Sequence, residues 1–124
     1  MKHLALLAML FLVPPPAVRA QEIILREDLR PSLLKLLDGE WLMKGDVLGK
    51  QVAYQLVAGP TLRARFTELH MRDTAEPPQY EARVFIGIDE ESGDVIVHWM
   101  DDFGARYSIP HGTGRIDGRI LQFT

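Results

Sequence analysis

The chain contains no cysteine. That excludes a disulfide framework, a thiolate nucleophile and the lipid-modified cysteine of a lipoprotein. A glycine-rich phosphate loop is missing too: Gly112-x-Gly114 is an approach to a hairpin. Ser92 and Ser108 lack the context of a nucleophile elbow. There is no second helical period and no βαβ spacing, so a parallel, doubly wound sheet is excluded. Positive charge is also short. Lysine and arginine number 14 against 17 acidic residues, for a net charge of −3. That balance argues against phosphate-driven nucleic-acid binding and against an anionic membrane surface. Arg63, Arg65 and Arg72 form the one local basic cluster and read as a solvated strand face.

The N-terminus states a compartment. Lys2 gives a short positive head, Leu4 to Val13 is an unbroken apolar run, and Pro14-Pro15-Pro16 stops it. Val18-Arg19-Ala20 then offers a signal-peptidase site. Roughly ten apolar residues are too few for a bilayer core that needs about 20. Residues 1–20 are therefore expected to be a secretory signal peptide. The exported protein, periplasmic or secreted, starts at Gln21 and is not embedded in a membrane. Residues 21–124 are enough for one domain with one modest core.

Within that domain the first period is helical. Ile23, Ile24 and Leu25 form an apolar lead-in. Asp28 suits an N-cap, Pro31 a first turn, and Leu33, Leu34, Leu36 and Leu37 make one stripe that Asp38-Gly39 ends. After Gly39 the period becomes two. The pattern predicts strands over Glu40–Asp46, Gln51–Val57, Thr61–Met71, Gln79–Ile88, Asp94–Met100, Ala105–Ile109, Gly114–Ile116 and Arg119–Phe123. Turns are expected at Leu48-Gly49-Lys50, Ala58-Gly59-Pro60, Glu76-Pro77-Pro78, Glu90 to Gly93, Pro110 to Thr113 and Asp117-Gly118. Short connections make successive strands antiparallel. One apolar face per strand over many hairpins describes a mainly β meander that curls and closes into a barrel.

Gly39-Glu40-Trp41 after a short helix resembles the opening of lipocalin-like barrels of the calycin superfamily. The spacing of Tyr80 and Phe85–Asp89, of Trp99-x-Asp101 and Gly104, and of Gly114 and Asp117-Gly118 resembles more closely the secreted bacterial DUF1579 family, akin to nitrobindin-type haem-binding barrels. The resemblance runs from Leu33 to Phe123. It implies a calycin barrel with one short N-terminal helix and a family-level link to haem. Such proteins ligate haem iron through a late-strand histidine, and no residue here matches that position, so no cofactor is expected. Independently of the family, Trp41 is expected to plug the closed end of the barrel, with its indole N–H hydrogen-bonded and Gly39 turning the chain into the strand.

Few residues suggest chemistry. His98 precedes Asp101-Asp102, a spacing that could hold a metal or orient an imidazole, but it reads as an outer-face residue opposite Val97 and Trp99. Glu68 and His70 share the side of Phe66, taken as inward, and read as rim residues. His111 is assigned to a loop. Asp101 and Asp102 are adjacent on a strand, point to opposite faces and make a poor acid–base pair. Asp89, Glu90, Glu91 and Asp94 read as a solvated turn. No catalytic residue and no metal site is assigned.

The function expected is therefore binding. A small apolar or amphipathic molecule would sit in a cavity lined by Tyr54, Leu56, Ala64, Phe66, Glu68, His70, Ala82, Val84, Val97 and Trp99. The alternatives are a filled, ligandless barrel that acts through its surface and, less favoured, an enzyme built on His98/Asp101 or Glu68/His70. The ending Leu121-Gln122-Phe123-Thr124 predicts a barrel short of its last strands, with an apolar edge open to dimerisation or aggregation.

Overall fold

The computed structural model describes residues 27–124, without the side chains at 109–111. The leader Met1–Ala20 and the Ile23-Ile24-Leu25 segment lie outside the described residues. A single helical turn, α1 (Ser32–Lys35), precedes seven strands: β1 (Gly39–Val47), β2 (Lys50–Thr61), β3 (Phe66–Asp73), β4 (Glu81–Ile88), β5 (Val95–Asp101), β6 (Ile109–Asp117) and β7 (Ile120–Phe123). Each strand pairs antiparallel with the next, in the order β1-β2-β3-β4-β5-β6-β7. The sheet curls into a half-barrel. It is mainly β, as the period of two predicts, but among the described residues β1 and β7 remain as two edges. No helix among the described residues is long and apolar enough to cross a membrane.

The concave face carries the core. Leu56, Met71, Ala82, Val84, Ile86, Val95 and Val97 are buried there, and Leu34 of α1 descends on them from one end. Cross-strand register explains the set: Leu56 faces Met71, Met71 faces Ala82, and Ile86 faces Val97, so these side chains share one side of the pleat. α1 is too short to be stable alone and is held by what it covers.

Asp28 does not cap the helix. Its carboxylate is taken by the backbone N–H and guanidinium of Arg30 instead. Arg30 also reaches both oxygens of Asp38, at 2.8 and 2.6 Å, and donates to the Thr67 hydroxyl at 2.8 Å. Both Arg30 and Thr67 are buried. One guanidinium thus ties the chain before α1, the chain after it and β3 together. A bidentate fork suits that task, since each donor meets an acceptor in a fixed plane.

Four expectations about strand limits change. Residues 62–65 form a turn, because Leu62, Arg63 and Ala64 all take positive φ (50°, 61° and 58°). Ala64 therefore leaves the strand. Gly59-Pro60 is not a turn but part of β2, whose β1 partner ends at Ala58, so the missing N–H of Pro60 interrupts no ladder. Residues 105–108 form a turn, with the Tyr107 N–H and Ser108 hydroxyl bonded to the Gly104 carbonyl. Pro110-His111-Gly112 runs inside β6, where a register shift between Val97 and Trp99 accommodates it. Eight expected strands thereby become seven. The Leu48-Gly49 hairpin forms as expected, with φ of 52° and 81°. The last hairpin also forms, with Gly118-Arg119 as its two loop residues.

Candidate functional site

The concave face differs at its two ends. The end beneath α1 is filled by Leu34, Ile86 and Val95. At the other end, aromatic side chains converge from separate elements: Tyr54 from β2, Tyr80 just before β4, Trp99 from β5 and Phe103 just after it. The Tyr54 and Tyr80 rings lie 5.6 Å apart at 59°, and Tyr80 and Phe103 lie 5.7 Å apart at 45°. These tilted geometries suit the ring quadrupoles. The Tyr80 hydroxyl donates to Asp101 Oδ2 at 3.2 Å and also meets the Trp99 side chain. Burial, and secondarily the Asp101 charge, push the Tyr80 phenol above its ordinary value, with the Trp99 contact opposing. The phenol is thus a neutral donor across physiological pH. The other Asp101 oxygen accepts the Phe103 N–H. Asp102 turns to the Glu81 N–H instead.

Beside this cluster the surface is apolar and accessible. Met43 pairs with Tyr54 and Trp41 with Leu56 across β1 and β2, so both stand on the concave side. Trp41 is 47 % and Met43 41 % exposed. The indole N–H of Trp41 finds its partner in the Leu37 carbonyl at 2.7 Å. Its ring does not plug a closed end: among the described residues β1 is an edge strand, paired with β2 alone.

The expected cavity residues divide into four groups. Tyr54 and Trp99 are half-buried members of the aromatic end, whereas Leu56, Ala82, Val84 and Val97 are packed core. Phe66, Glu68 and His70 stand on the convex face, opposite Gly87, Phe85 and Arg83, which corrects their inward assignment. The inward residues of β3 are Thr67, Leu69 and Met71. Glu68 there pairs with Arg83, and His70 Nε2 meets Glu81 Oε1 at 2.6 Å, which lowers the Glu81 carboxyl below its ordinary range. Ala64, in its turn, borders a recess of about 570 Å3 beside Arg30 and Leu34.

His98 lies on the convex face opposite Phe85, its ring 6.2 Å from that of Phe66. Asp101 is on the other face, so the two do not converge. With Leu62, Phe66, Phe85 and Met100, His98 lines a shallow convex recess of about 630 Å3. His111 lies in β6 and not in a loop; its side chain is outside the description. Among the described residues no three His, Asp or Glu side chains gather as a metal site would require. Asp89 accepts the Glu91 and Ser92 N–H groups, which makes that acidic stretch a hydrogen-bonded turn.

Two residues of consequence stand outside the expected cavity lining. Tyr80 gains its role from Asp101 on another strand, and Arg30 from Asp28, Asp38 and Thr67. The Trp99-x-Asp101 spacing, which puts both residues on one side of β5, is the signal that points toward the first. Comparison with known proteins finds no matching family model, no similar curated protein and no similar solved structure.

Proposed function

We propose that this is an exported, calycin-like binding protein that takes a small amphipathic molecule at the aromatic end of its concave face. The observation that carries the reading is the placement of the Tyr80–Asp101 pair among Tyr54, Trp99 and Phe103, next to the accessible Trp41 and Met43. Aromatic walls with a single oriented polar couple are what a small-molecule site uses: apolar area for affinity, one hydrogen-bonding group for orientation. The ligand's flat apolar part would lie on Tyr54, Tyr80 and Trp99. Its donor group would reach Asp101.

The burial of Leu56, Ala82, Val84 and Val97 moves this site from the deep lumen to the mouth. It also favours the second reading, a filled half-barrel that works through its surface. A haem held from the concave side does not fit the described histidines, since both His70 and His98 stand on the convex face.

Titration with the neutral aromatic probe N-phenyl-1-naphthylamine separates the two readings. Saturable enhancement of the probe with quenching of tryptophan emission is expected, lost in Tyr54→Ala and Trp99→Leu. Asp101→Asn is expected to leave this donor-poor probe almost unaffected and to weaken naphthylamine analogues that carry an ammonium group. Absence of saturable binding, or binding indifferent to Tyr54 and Trp99, would reject the ligand reading in favour of the filled one.

A further inference from the structure

The β1 edge supports an inference independent of any ligand. β1 is nine residues long, exposed at every position and, among the described residues, paired only with β2. Soluble proteins protect such edges by keeping them short, bulging them, breaking them with proline or placing charged side chains on them. Of these β1 has only the charges, Glu40, Lys44 and Asp46: its register with β2 is continuous and it contains no proline. The other edge, β7, has four residues. β1 also exposes Trp41 and Met43 on one face and Leu42, at 62 %, on the other.

We propose that β1 is the interface of a two-fold dimer, in which the β1 edges of two copies of this chain pair antiparallel about Leu42. The backbone selects the pairs. Leu48-Gly49 is a two-residue loop, so Val47 and Lys50 share a hydrogen-bonded pair, and the odd-numbered residues of β1 spend their N–H and C=O groups on β2. The even-numbered ones, Glu40, Leu42, Lys44 and Asp46, direct theirs to the free edge.

Side chains select the register. Residues opposite each other in an antiparallel pair share a face, so concave must meet concave. Centring on Leu42 sets Leu42 against its own copy, Trp41 against the partner's Met43, and Glu40 against the partner's Lys44, the last two contacts occurring twice by symmetry. Among the described residues Glu40 and Lys44 make no ion pair within one chain. Centring on Met43 would instead set Glu40 against Asp46 and Lys44 against Leu42. Centring on Trp41 would set Lys44 against Asp38, which Arg30 already holds. Across Glu40–Lys44 the Leu42 register, unlike those two, matches charge with charge and apolar with apolar on both faces; beyond that stretch Asp46 falls opposite the partner's Asp38, whose charge Arg30 already balances. A β7 partner would cover less than half of β1. The dimer joins two half-barrels into one continuous concave surface.

The absence of cysteine makes the register directly readable. The full coding sequence is expressed in a secreting host, and the exported protein is studied by light scattering and by disulfide cross-linking. A dimer mass is expected at high micromolar concentration. Lys44→Glu sets acid against acid twice and should weaken association about tenfold or more, since each cross-strand pair changes from favourable to unfavourable. The double swap Glu40→Lys with Lys44→Glu should restore it. Oxidised Leu42→Cys should cross-link to dimer, because only residue 42 meets its own copy, and Lys44→Cys should not. A monomer at every concentration would overturn the proposal. So would a dimer indifferent to Lys44→Glu, or equal cross-linking through residues 42 and 44. Circular dichroism melts guard against misfolding, and the cross-linking contrast still decides if Lys44→Glu is unstable.

Discussion

Leu34 and Leu42 are the same side chain, yet one is 1 % exposed and the other 62 %. Leu34 belongs to a helix of one turn that could not persist by itself. It is buried because α1 lies across the end of the sheet, where Ile86 and Val95 wait on adjacent strands. Leu42 belongs to a nine-residue strand with a continuous ladder, and is exposed because, among the described residues, a strand flanks it on one side only. Charge follows the same division. Arg30 is buried because three oxygen-bearing residues meet it, whereas Lys44 on the edge has no such company. Burial here is set by how many elements surround a position, and hydropathy alone ranks neither pair. The most regular element is the most accessible, and the least regular one is locked.

The largest effect should come from unlocking the helix end. Leu34→Ala leaves a cavity under α1 that the sheet cannot collapse to fill. It should cost about 4 kcal/mol, toward the upper part of the range for buried leucines. Leu42→Ala, measured where the protein is monomeric, should stay within about 0.5 kcal/mol. Urea denaturation of the two variants side by side checks the contrast. Equal losses would show that the two leucines are not distinguished by their surroundings.

Arg30→Ala comes next, at about 3 kcal/mol. Breaking a buried ion pair often costs more, but both carboxylates are about a third exposed and water can recover part of the loss. Acid reports on the same latch. The Arg30 guanidinium, opposed by partial burial, lowers the Asp28 carboxyl from its ordinary 3.8 to about 2, and lowers Asp38 in the same direction. A carboxylate whose folded value is depressed stabilises the fold above its unfolded value. That stabilisation is lost as the pH falls through the window from about 4 to about 2. Stability of the parent protein should therefore decline across this window, and Arg30→Ala should flatten that part of the profile. An unchanged acid profile in the variant would mean that the latch contributes nothing to the pH dependence.

How far the sequence was legible follows from the same contrast. β4 and β5 carry one clean alternation each, and their inner residues are those the period of two picks out. β3 does not. Phe66 invites one phase, Leu69 and Met71 the other, and a shift of one residue turns every side chain over. The polar Glu68, His70 and Arg72 set against Leu69 and Met71 were the signal for the right phase. The turn at 62–65 was hidden because Leu62, Arg63 and Ala64 are not residues that advertise positive φ. Gly59-Pro60 and Pro110-His111-Gly112 look like turn chemistry, but lie where the ladder has ended or shifts register. The role of Arg30 carries no periodic signal: Asp28 and Asp38 lie on either side of α1, and Thr67 is 37 residues away on β3. Of the aromatic end, Tyr54 and Trp99 were legible from alternation. The Tyr80–Asp101 hydrogen bond depends on which strands are neighbours, and a single strand's pattern does not contain that.

The smallest expected loss from the locked end, and the finest test of the comparison, is at Trp41, which joins the two regions. Its backbone lies near the start of β1, its indole N–H donates to the Leu37 carbonyl just past α1, and the residue is about half exposed. If the edge strand is tied to the locked end only through that hydrogen bond, removing the bond while keeping an aromatic ring isolates the tie. Trp41→Phe should cost about 1 kcal/mol, the net worth of one such bond, and not the 3–5 kcal/mol of a large aromatic removed from a core. Fluorescence separates the two indoles in the same experiment. Trp99 is held in the aromatic cluster, so the emission of Trp41→Phe, which retains Trp99 alone, should resist iodide. Trp99→Phe retains Trp41, and its emission should be quenched readily in the monomer. In that variant, quenching should fall as concentration rises if Trp41 becomes covered by the partner's Met43. Quenching of Trp41 as weak as that of Trp99 at the lowest concentration would place Trp41 in a core, and the edge would then belong to the locked part of the molecule.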